Sequence, residues 1–483
     1  MKKIGFLLLL CAALLAGPAA AQERFRKTPP PPDPLPGLRL PPIETSSISN
    51  GLRIAAVPWT GAPLMSLQLI LDAGESRSPE GLPGLATCAA HLFLRGTRFR
   101  SGQDIEDLIE SLGGRITLDV TQDHVFFTFL FLEEALDQVL NLLREMLIAP
   151  GFSERELANL KYSLRYDLID KNKDPETAAR KQLLRLLFQG HPYARFAFDP
   201  DVIKNWTMRD LTAFFDRCYR PNAAHLVFVG DIQAPAAAKK AARFLSAWQS
   251  RDIPALTMPA LRIQDRDRIC FIDIPEAKVC AVAAGVLLPL PDSSERFTLS
   301  ILNQILGGTT GSRLFMTLRE AKGFAYSSFS EIDYFRSGAV FVARSLTPAA
   351  SIVPSVLEMI KILRSPAREP IPPDEIELAK STLIGNFPLR LARFEDFVAR
   401  AGLIEAVGWG PEAWDRYYEP MWLVGPDRVA AAAVRVFQAR LVVVIAGDKR
   451  ACDERLADFE TVEYYDSKGQ FQSARTATQR SLR

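Results

Sequence analysis

Residues 153–161 (SERELANLK) resemble residues 374–382 (DEIELAKST), which lie 221 positions further along the chain. The alignment pairs Leu157 with Leu378, and in both stretches acidic residues precede the first leucine. A long amphipathic helix is predicted just ahead of each stretch. Similarity at one spacing, with the same predicted element in front, indicates that the chain is built from two copies of one domain.

The ends of the two copies match as well, because residues 228–231 (FVGD) recur as residues 445–448 (IAGD) with an offset of 217. Between the copies, residues 249–265 lack hydrophobic periodicity and contain two prolines, so this segment is the predicted linker. The sequence therefore predicts an α+β fold with two homologous sheet-plus-helices domains of about 200 residues, at 45–248 and 266–456.

The predicted elements follow the same order in both copies. Alternating apolar residues and β-branched content predict strands at 51–58, 64–73, 115–121, 124–131 and 225–229, and then at 267–273, 279–287, 326–333 and 338–345. Helical periodicity and capping residues predict helices at 83–95, 101–112, 132–148 and 153–172, and then at 294–306, 312–322 and 349–364.

The first residues are typical of a secretory signal. Lys2 and Lys3 precede an apolar run at 4–16, and three alanines end at Ala21. The run is too short to span a membrane comfortably, and no later segment has the apolar length of a membrane helix. We predict a signal peptide at 1–21 and an exported chain, periplasmic or secreted, with no membrane span.

Two further segments lie outside the predicted domains. Residues 22–44 form a proline-rich arm, with eight prolines between residues 28 and 42. Such a stretch favours extended polyproline II, so the arm is a semi-rigid element that lies on a partner or a solvated spacer. Residues 457–483 are polar and are predicted to form a disordered tail.

Charge and cysteine content exclude several classes of protein. The two lysines lost with the signal leave 56 basic residues against 56 acidic ones, so no electrostatic argument favours nucleic acid. An odd, scattered set of cysteines is no disulfide framework, and no CxxC pair suggests zinc. A bridge between Cys270 and Cys280 is conceivable, but buried free thiols are favoured. The set after the signal is Cys88, Cys218, Cys270, Cys280 and Cys452.

Residues 81–97 (GLPGLATCAAHLFLRGT) resemble the signature helix of the pitrilysin/insulinase metallopeptidases, which include the mitochondrial processing peptidases. In that family an inverted H-x-x-E-H motif supplies two zinc ligands and the general base. Here Thr87 stands at the first His position and Ala90 at the Glu position, and only His91 is retained. Asp167, 76 residues after His91, stands where the resemblance places the third ligand.

The resemblance therefore implies a degenerate metal motif. Catalytic zinc needs three protein ligands and an open position, and His91 and Asp167 supply two at most. With Ala90 at the general-base position, no obvious side chain would activate water. We predict no catalytic residue and no metal or other cofactor on this chain, with His91 as a residual polar group in a vestigial cleft.

Residues 304–330 (QILGGTTGSRLFMTLREAKGFAYSSFS) are similar to a second pattern of the same family, and this pattern is intact. The resemblance implies that Arg319 and Tyr326 hold the substrate backbone or its carboxyl end, which suits the two-donor fork of arginine. The alternative is that Arg319 pairs on a helix surface and Tyr326 packs at the start of a strand.

The metal motif of the first copy is degenerate, whereas the substrate-binding pattern of the second copy is intact. By the same resemblance, this combination implies a non-catalytic, substrate-positioning subunit of an exported heterodimeric zinc metallopeptidase of the insulinase type. The predicted partner is a homologous catalytic subunit with an intact HxxEH motif and the zinc, and the predicted substrates are unfolded peptides. Each chain would form half of a clamshell. The alternatives are a non-proteolytic scaffold or assembly subunit, and a weakly active single-chain metallopeptidase.

Overall fold

A computed structural model describes residues 40–196, 198–410, 413–414 and 416–476. The predicted signal at 1–21 and the arm up to residue 39 lie outside the described residues. The elements of the first half are β1 (Glu44–Ser47), β2 (Arg53–Pro58), β3 (Leu64–Leu71), α1 (Leu85–Phe93), α2 (Gly102–Ser111), β4 (Arg115–Val120), β5 (Val125–Leu132), α3 (Leu136–Ile148), α4 (Glu154–Lys171), α5 (Pro175–Leu187), α6 (Met208–Cys218), β6 (Ala224–Gly230) and α7 (Ala234–Leu245).

The predicted linker, residues 249–265, contains no helix or strand. The elements of the second half are β7 (Arg268–Asp273), β8 (Cys280–Pro289), α8 (Ser293–Leu306), α9 (Arg313–Phe315) with a π-helical continuation (Met316–Ala321), β9 (Ser327–Phe335), β10 (Gly338–Thr347), α10 (Ile352–Arg364), α11 (Pro373–Arg390), α12 (Phe394–Val407), α13 (Tyr418–Trp422), α14 (Pro426–Gln438), β11 (Val442–Gly447), α15 (Lys449–Cys452), β12 (Thr461–Tyr465) and β13 (Phe471–Thr476).

The strand order repeats between the two sheets. The first sheet has the order β1-β2-β6-β3-β5-β4, and the second has β13-β12-β7-β11-β8-β10-β9. In each sheet a parallel pair, β2 with β6 or β7 with β11, is followed by antiparallel neighbours, and in the second sheet β12 also pairs parallel to β7. The prediction of two homologous α+β domains is therefore confirmed. Each predicted strand begins and ends within two residues of an observed strand.

Each half contributes one helix that packs on the sheet of the other half. Helix α5 of the first half packs on the second sheet, where Leu183 and Leu187 join a core with Val442 and Val444. Gly285 in β8 permits this approach, because a Cβ there would lie 2.8 Å from a methyl group of Leu183. A helix of the first copy thus completes the core of the second.

The exchange is reciprocal. Helix α12 of the second half packs on the first sheet, where Phe397 and Ala401 contact a core that contains Val57 and Val227. Gly402 is required at this contact, because a Cβ there would overlap the side chain of Gln68. The described part of the chain accordingly belongs to one compact unit, although its sequence divides into two copies.

The predicted disordered tail is wrong for the part of residues 457–483 that the structure describes. Strand β12 pairs parallel to β7 and antiparallel to β13, so both strands extend the second sheet. Val462 and Tyr464 are buried in the core of the second half, and the carboxylate of Glu463 lies 2.6 Å from Arg268. The alternating apolar residues of β12 stabilise a strand, although the polar composition of the surrounding residues predicted disorder.

All five cysteines in the described residues are buried and free, as favoured from the sequence. The neighbour of Cys280 is Cys452, with 3.2 Å between the two Sγ atoms, whereas Cys270 lies 3.8 Å from a carboxylate oxygen of Glu463. The conceivable bridge between Cys270 and Cys280 is therefore not present. No helix within the described ranges combines the length and the apolar character that crossing a membrane requires.

Candidate functional site

Helix α1 carries the degenerate metal motif. It begins after Gly84, whose φ of +83° and close contact with the Phe198 ring exclude a side chain at this position. Thr87 and His91 are four residues apart, so they lie on one face of the helix. Both line a cavity of about 430 Å³, which we call the His91 cavity.

The structure brings three of the four motif positions together. Asp167, on α4, lines the His91 cavity with Thr87 and His91, but its side chain is exposed. Ala90 faces away into the core and is fully buried. Burial lowers the pKa of His91, and Arg95 reinforces the shift against the opposing charge of Asp167. Both the burial and Arg95 favour the neutral form of His91.

Glu75, which the sequence analysis did not single out, occupies the start of α1. Its fully buried carboxylate accepts hydrogen bonds from the backbone N–H and the hydroxyl of Thr87 through Oε1. Its Oε2 accepts from the hydroxyl of Ser78 at 2.9 Å and from the N–H of Gly84 at 3.0 Å. Burial raises the pKa of Glu75, although these hydrogen bonds oppose the shift.

Glu75 therefore caps the helix that carries the motif and uses the Thr87 hydroxyl as one of its donors. The position that the resemblance assigns to the first zinc ligand is tied into an internal hydrogen-bond network. A signal was present in the sequence, since an acidic residue lies between Gly74 and Ser76 shortly before the motif. Nothing in the sequence, however, indicated which helix it would cap.

The residues at this cavity do not fit a catalytic zinc ion. His91 and the exposed Asp167 are two donors, one fewer than a catalytic zinc site requires. Across the residues that the structure describes, no group of three or more His, Cys, Asp or Glu side chains is placed to hold a metal ion. The general-base position is occupied by Ala90, whose side chain cannot accept a proton.

Basic side chains of α5 also line the His91 cavity. The Nζ of Lys181 donates to Oδ1 of Asn172 at 3.1 Å and to the carbonyl of Phe198 at 2.9 Å. Burial lowers the pKa of Lys181 to about 8. Arg180 lies beside it and reaches Glu331 at 2.7 Å and Asp333 at 2.8 Å on β9. These ion pairs join α5 of the first half to the edge strand of the second.

The second predicted site is open to solvent. Arg319 lies in the π-helical segment after α9, with its guanidinium 4.8 Å from the centroid of the Phe315 ring and 3.6 Å from a carboxylate oxygen of Glu320. Its side chain is 51% exposed. Tyr326 lies just before β9 and is 59% exposed, and its hydroxyl has no hydrogen-bond partner among the described residues. Neither residue lines the His91 cavity.

The His91 cavity is one end of a groove that the sequence analysis missed. Leu118 and Arg180 line both this cavity and a central one of about 590 Å³. Ile332, Tyr334 and Trp409 line both the central cavity and a third of about 360 Å³. The groove thus runs between β4 and β9, which are the edge strands of the two sheets.

Comparison with known proteins relates most of the chain, from residue 54 to residue 383, to one family. A family model described as insulinase, peptidase family M16, matches residues 54–201. A model described as the peptidase M16 inactive domain matches residues 205–383, and the two matches together cover more than half of the 483 residues.

Relatives with similar sequences carry two kinds of name. A protein of Mycobacterium leprae named an uncharacterized zinc protease is 25% identical over 373 residues, which cover 74% of this chain and 81% of that protein. The non-peptidase homolog YmxG of Helicobacter pylori is 26% identical over 340 residues, which cover 68% of this chain and 76% of that protein.

Two crystal structures share the fold. The peptidase M16 inactive domain from Pseudomonas fluorescens has a TM-score of 0.77 at 22% identity, over 84% of this chain and 98% of that one. A protease from Helicobacter pylori has a TM-score of 0.78 at 18% identity, over 84% of this chain and 99% of that one.

Proposed function

The chain belongs to the insulinase (M16) family of peptidases as an inactive-type homologue, and on this premise we propose that it positions peptide substrates for a separate zinc-bearing chain. One contrast carries the proposal. In the first half, Thr87 at the degenerate metal motif donates its backbone N–H and its hydroxyl to the carboxylate of Glu75. At the other half, Arg319 and Tyr326 keep their polar groups exposed to solvent.

The exposed groups suit the binding of a peptide. The ion pair of Arg319 with the equally exposed Glu320 is worth little, so a ligand can replace it at small cost. The guanidinium presents a planar fork of donors for peptide carbonyls or a carboxylate. The free hydroxyl of Tyr326 adds a further donor and acceptor.

The groove supplies room for an extended substrate. Strands β4 and β9 each pair on one side only, and an extended peptide can add to a free strand edge through main-chain hydrogen bonds. An unfolded segment would satisfy this requirement, whereas a folded protein would not. In this proposal a second, homologous chain closes over the groove as the other half of a clamshell.

The partner would supply the chemistry that is missing here. We propose that it carries an intact HxxEH motif and the zinc, so that hydrolysis takes place on its helix. The features of a secretory signal at 1–21 support the proposal that both chains act in the periplasm or outside the cell.

Co-expression with a candidate catalytic chain tests the proposal. Cleavage of a fluorogenic unfolded peptide should require both chains. Arg319→Ala should lower kcat/KM of the complex about tenfold to a hundredfold, because a charge-assisted hydrogen bond is worth about 1.5–3 kcal/mol. Arg440→Ala is the matched control, since Arg440 is an exposed arginine of the same half without a described partner.

Three outcomes would contradict the proposal in different ways. Full activity of the candidate catalytic chain alone would show that it needs no positioning subunit. Peptide cleavage by this chain alone, with one bound zinc, would indicate a single-chain metallopeptidase. A complex that cleaves equally well with Arg319→Ala and with Tyr326→Phe would indicate a scaffold.

A further inference from the structure

The third cavity of the groove, which we call the Arg400 cavity, lies in the second half. Elements α8, β9, α11 and α12 contribute most of its lining. In the first half, α1, β4, α4 and α5 line the His91 cavity. The repeated strand order makes β9 the counterpart of β4, and the helices correspond in the same order along the chain. The duplication thus places the Arg400 cavity where the first half has its vestigial metal cleft.

The character of this cavity is cationic. Three arginines line it, and Glu331 is the one carboxylate among its described lining residues. The charge of Glu331 is already paired with Arg180 at 2.7 Å, as described above. The lining arginines are Arg296, Arg390 and Arg400.

Arg400 is held in place without an acidic partner in the described residues. One Nη of its guanidinium donates to the carbonyl of Ala413 at 2.7 Å, and its Nε is buried without a hydrogen-bond partner. Burial lowers the pKa of Arg400, and the nearby positive charge of Arg390 acts in the same direction. The guanidinium is therefore fixed by packing while one of its donors remains unsatisfied.

Aromatic rings surround these charges. The guanidinium of Arg296 lies 4.7 Å from the centroid of the Trp409 ring, and that of Arg400 lies 5.5 Å from it. Tyr334 and Tyr417 complete the aromatic wall. The volume of about 360 Å³ is in the range of a small-ligand pocket. Rings beside arginines suit an organic anion better than an inorganic one, because apolar surface is buried together with the charge.

We propose that the Arg400 cavity binds a carboxylate of a peptide that lies in the groove. This inference rests on the proposed function, because the peptide is the substrate of that function. The carboxylate is either the carboxyl terminus or an acidic side chain, which share the same planar pair of acceptor oxygens. Substrates would then be selected for a negative charge beside an apolar residue.

Binding of short peptides to the full chain, without any partner, tests the assignment. The probe is a fluorescein-labelled hexapeptide that ends in Phe-Glu, measured by fluorescence anisotropy. Its C-terminal amide, its Glu→Gln form and the doubly neutral form separate the two sources of the carboxylate. Replacing the recognised carboxylate should weaken binding about tenfold or more.

Protein variants locate the site. Arg390→Gln should weaken binding of the acidic peptide about tenfold and should not change binding of the neutral one. Arg390 is exposed on α11 and has no described partner, so this variant should fold. Arg400→Lys keeps the charge but loses the fork, and should weaken binding as well. Arg440→Gln, outside the cavity, should bind like the unmodified chain.

Equal affinity for the acidic and doubly neutral peptides would overturn the assignment. Unchanged affinity in Arg390→Gln would also overturn it, as would competition by inorganic phosphate as effective as that by the peptide. These results are distinguishable from failure of the proposed function. Binding is measured on this chain alone, whereas the proposed function is tested by Arg319→Ala in the two-chain cleavage assay.

Discussion

Replacing Glu75 with alanine would remove the acceptor of four hydrogen bonds at the start of α1. The two hydroxyl donors can rotate, and the Ser78 hydroxyl still accepts from the N–H of Ala86 at 3.0 Å. The N–H groups of Gly84 and Thr87 cannot move in this way. Both would be left without an acceptor, the N–H of Gly84 in a buried position and that of Thr87 in a partly buried one.

The cost follows from these two groups. A buried donor left unsatisfied costs about 1–3 kcal/mol, and loss of a helix N-cap alone costs about 0.5–2 kcal/mol. Part of this loss of stability is offset, because the burial of the carboxylate in the native protein is itself unfavourable. We therefore expect Glu75→Ala to lower the free energy of unfolding by about 2–4 kcal/mol.

Urea unfolding at pH 7, followed by far-ultraviolet circular dichroism, measures the loss. Glu80→Ala is the control, since Glu80 is an exposed acid five residues further on and should change stability by less than about 0.5 kcal/mol. If Glu75→Ala also changes the free energy of unfolding by less than about 0.5 kcal/mol, the carboxylate does not stabilise the start of α1. The hydrogen bonds to Thr87 would then not explain the state of the former metal-ligand position.

The combined variant Thr87→His and Ala90→Glu should unfold more readily than the parent and take up no zinc in elemental analysis. Ala90 is fully buried, so a glutamate there would place an unpaired charge in the core. Oxidised glutathione should link Cys280 to Cys452 before any other pair, because their Sγ atoms are 3.2 Å apart, and peptide mapping would identify the bridge. The lowered pKa of Lys181, about 8 against an ordinary 10.5, means that the unfolded chain binds the proton more tightly. Its contribution to the free energy of unfolding should therefore rise between pH 8 and 10.5, by at most about 1.4 kcal/mol per pH unit, and Lys181→Met should abolish the rise in urea unfolding. Stoichiometric zinc, a different bridge, or parallel pH profiles would each contradict the corresponding reasoning.

The strands and the duplication were predictable because their signals are local. Alternation of apolar residues fixes a strand to within a residue or two, and a repeated motif such as FVGD and IAGD needs no tertiary information. The strands of the last segment were missed for the opposite reason. The run from Thr461 to Tyr465 is short, and the polar turn after it dominates the composition.

The helix exchange was not predictable from one sequence. The leucines of α5 show that one face of the helix is buried, but they do not show which sheet covers it. The same limit applies to Glu75. The sequence contains 56 acidic residues, and only the fold shows that this one is buried against the start of α1. Motif positions are local patterns, whereas the partners of a side chain depend on long-range packing.

The exchange of α5 and α12 has a consequence for the time course of synthesis. When the first 248 residues have been made, the face of the first sheet around Val57 and Val227 still lacks its cover, because α12 begins only at Phe394, 146 residues later. This apolar surface is therefore exposed to solvent while the rest of the chain is synthesised. A chaperone that binds unfolded chains would have a defined surface to protect. Neither half can complete its core alone, so the unit of folding is the whole polypeptide.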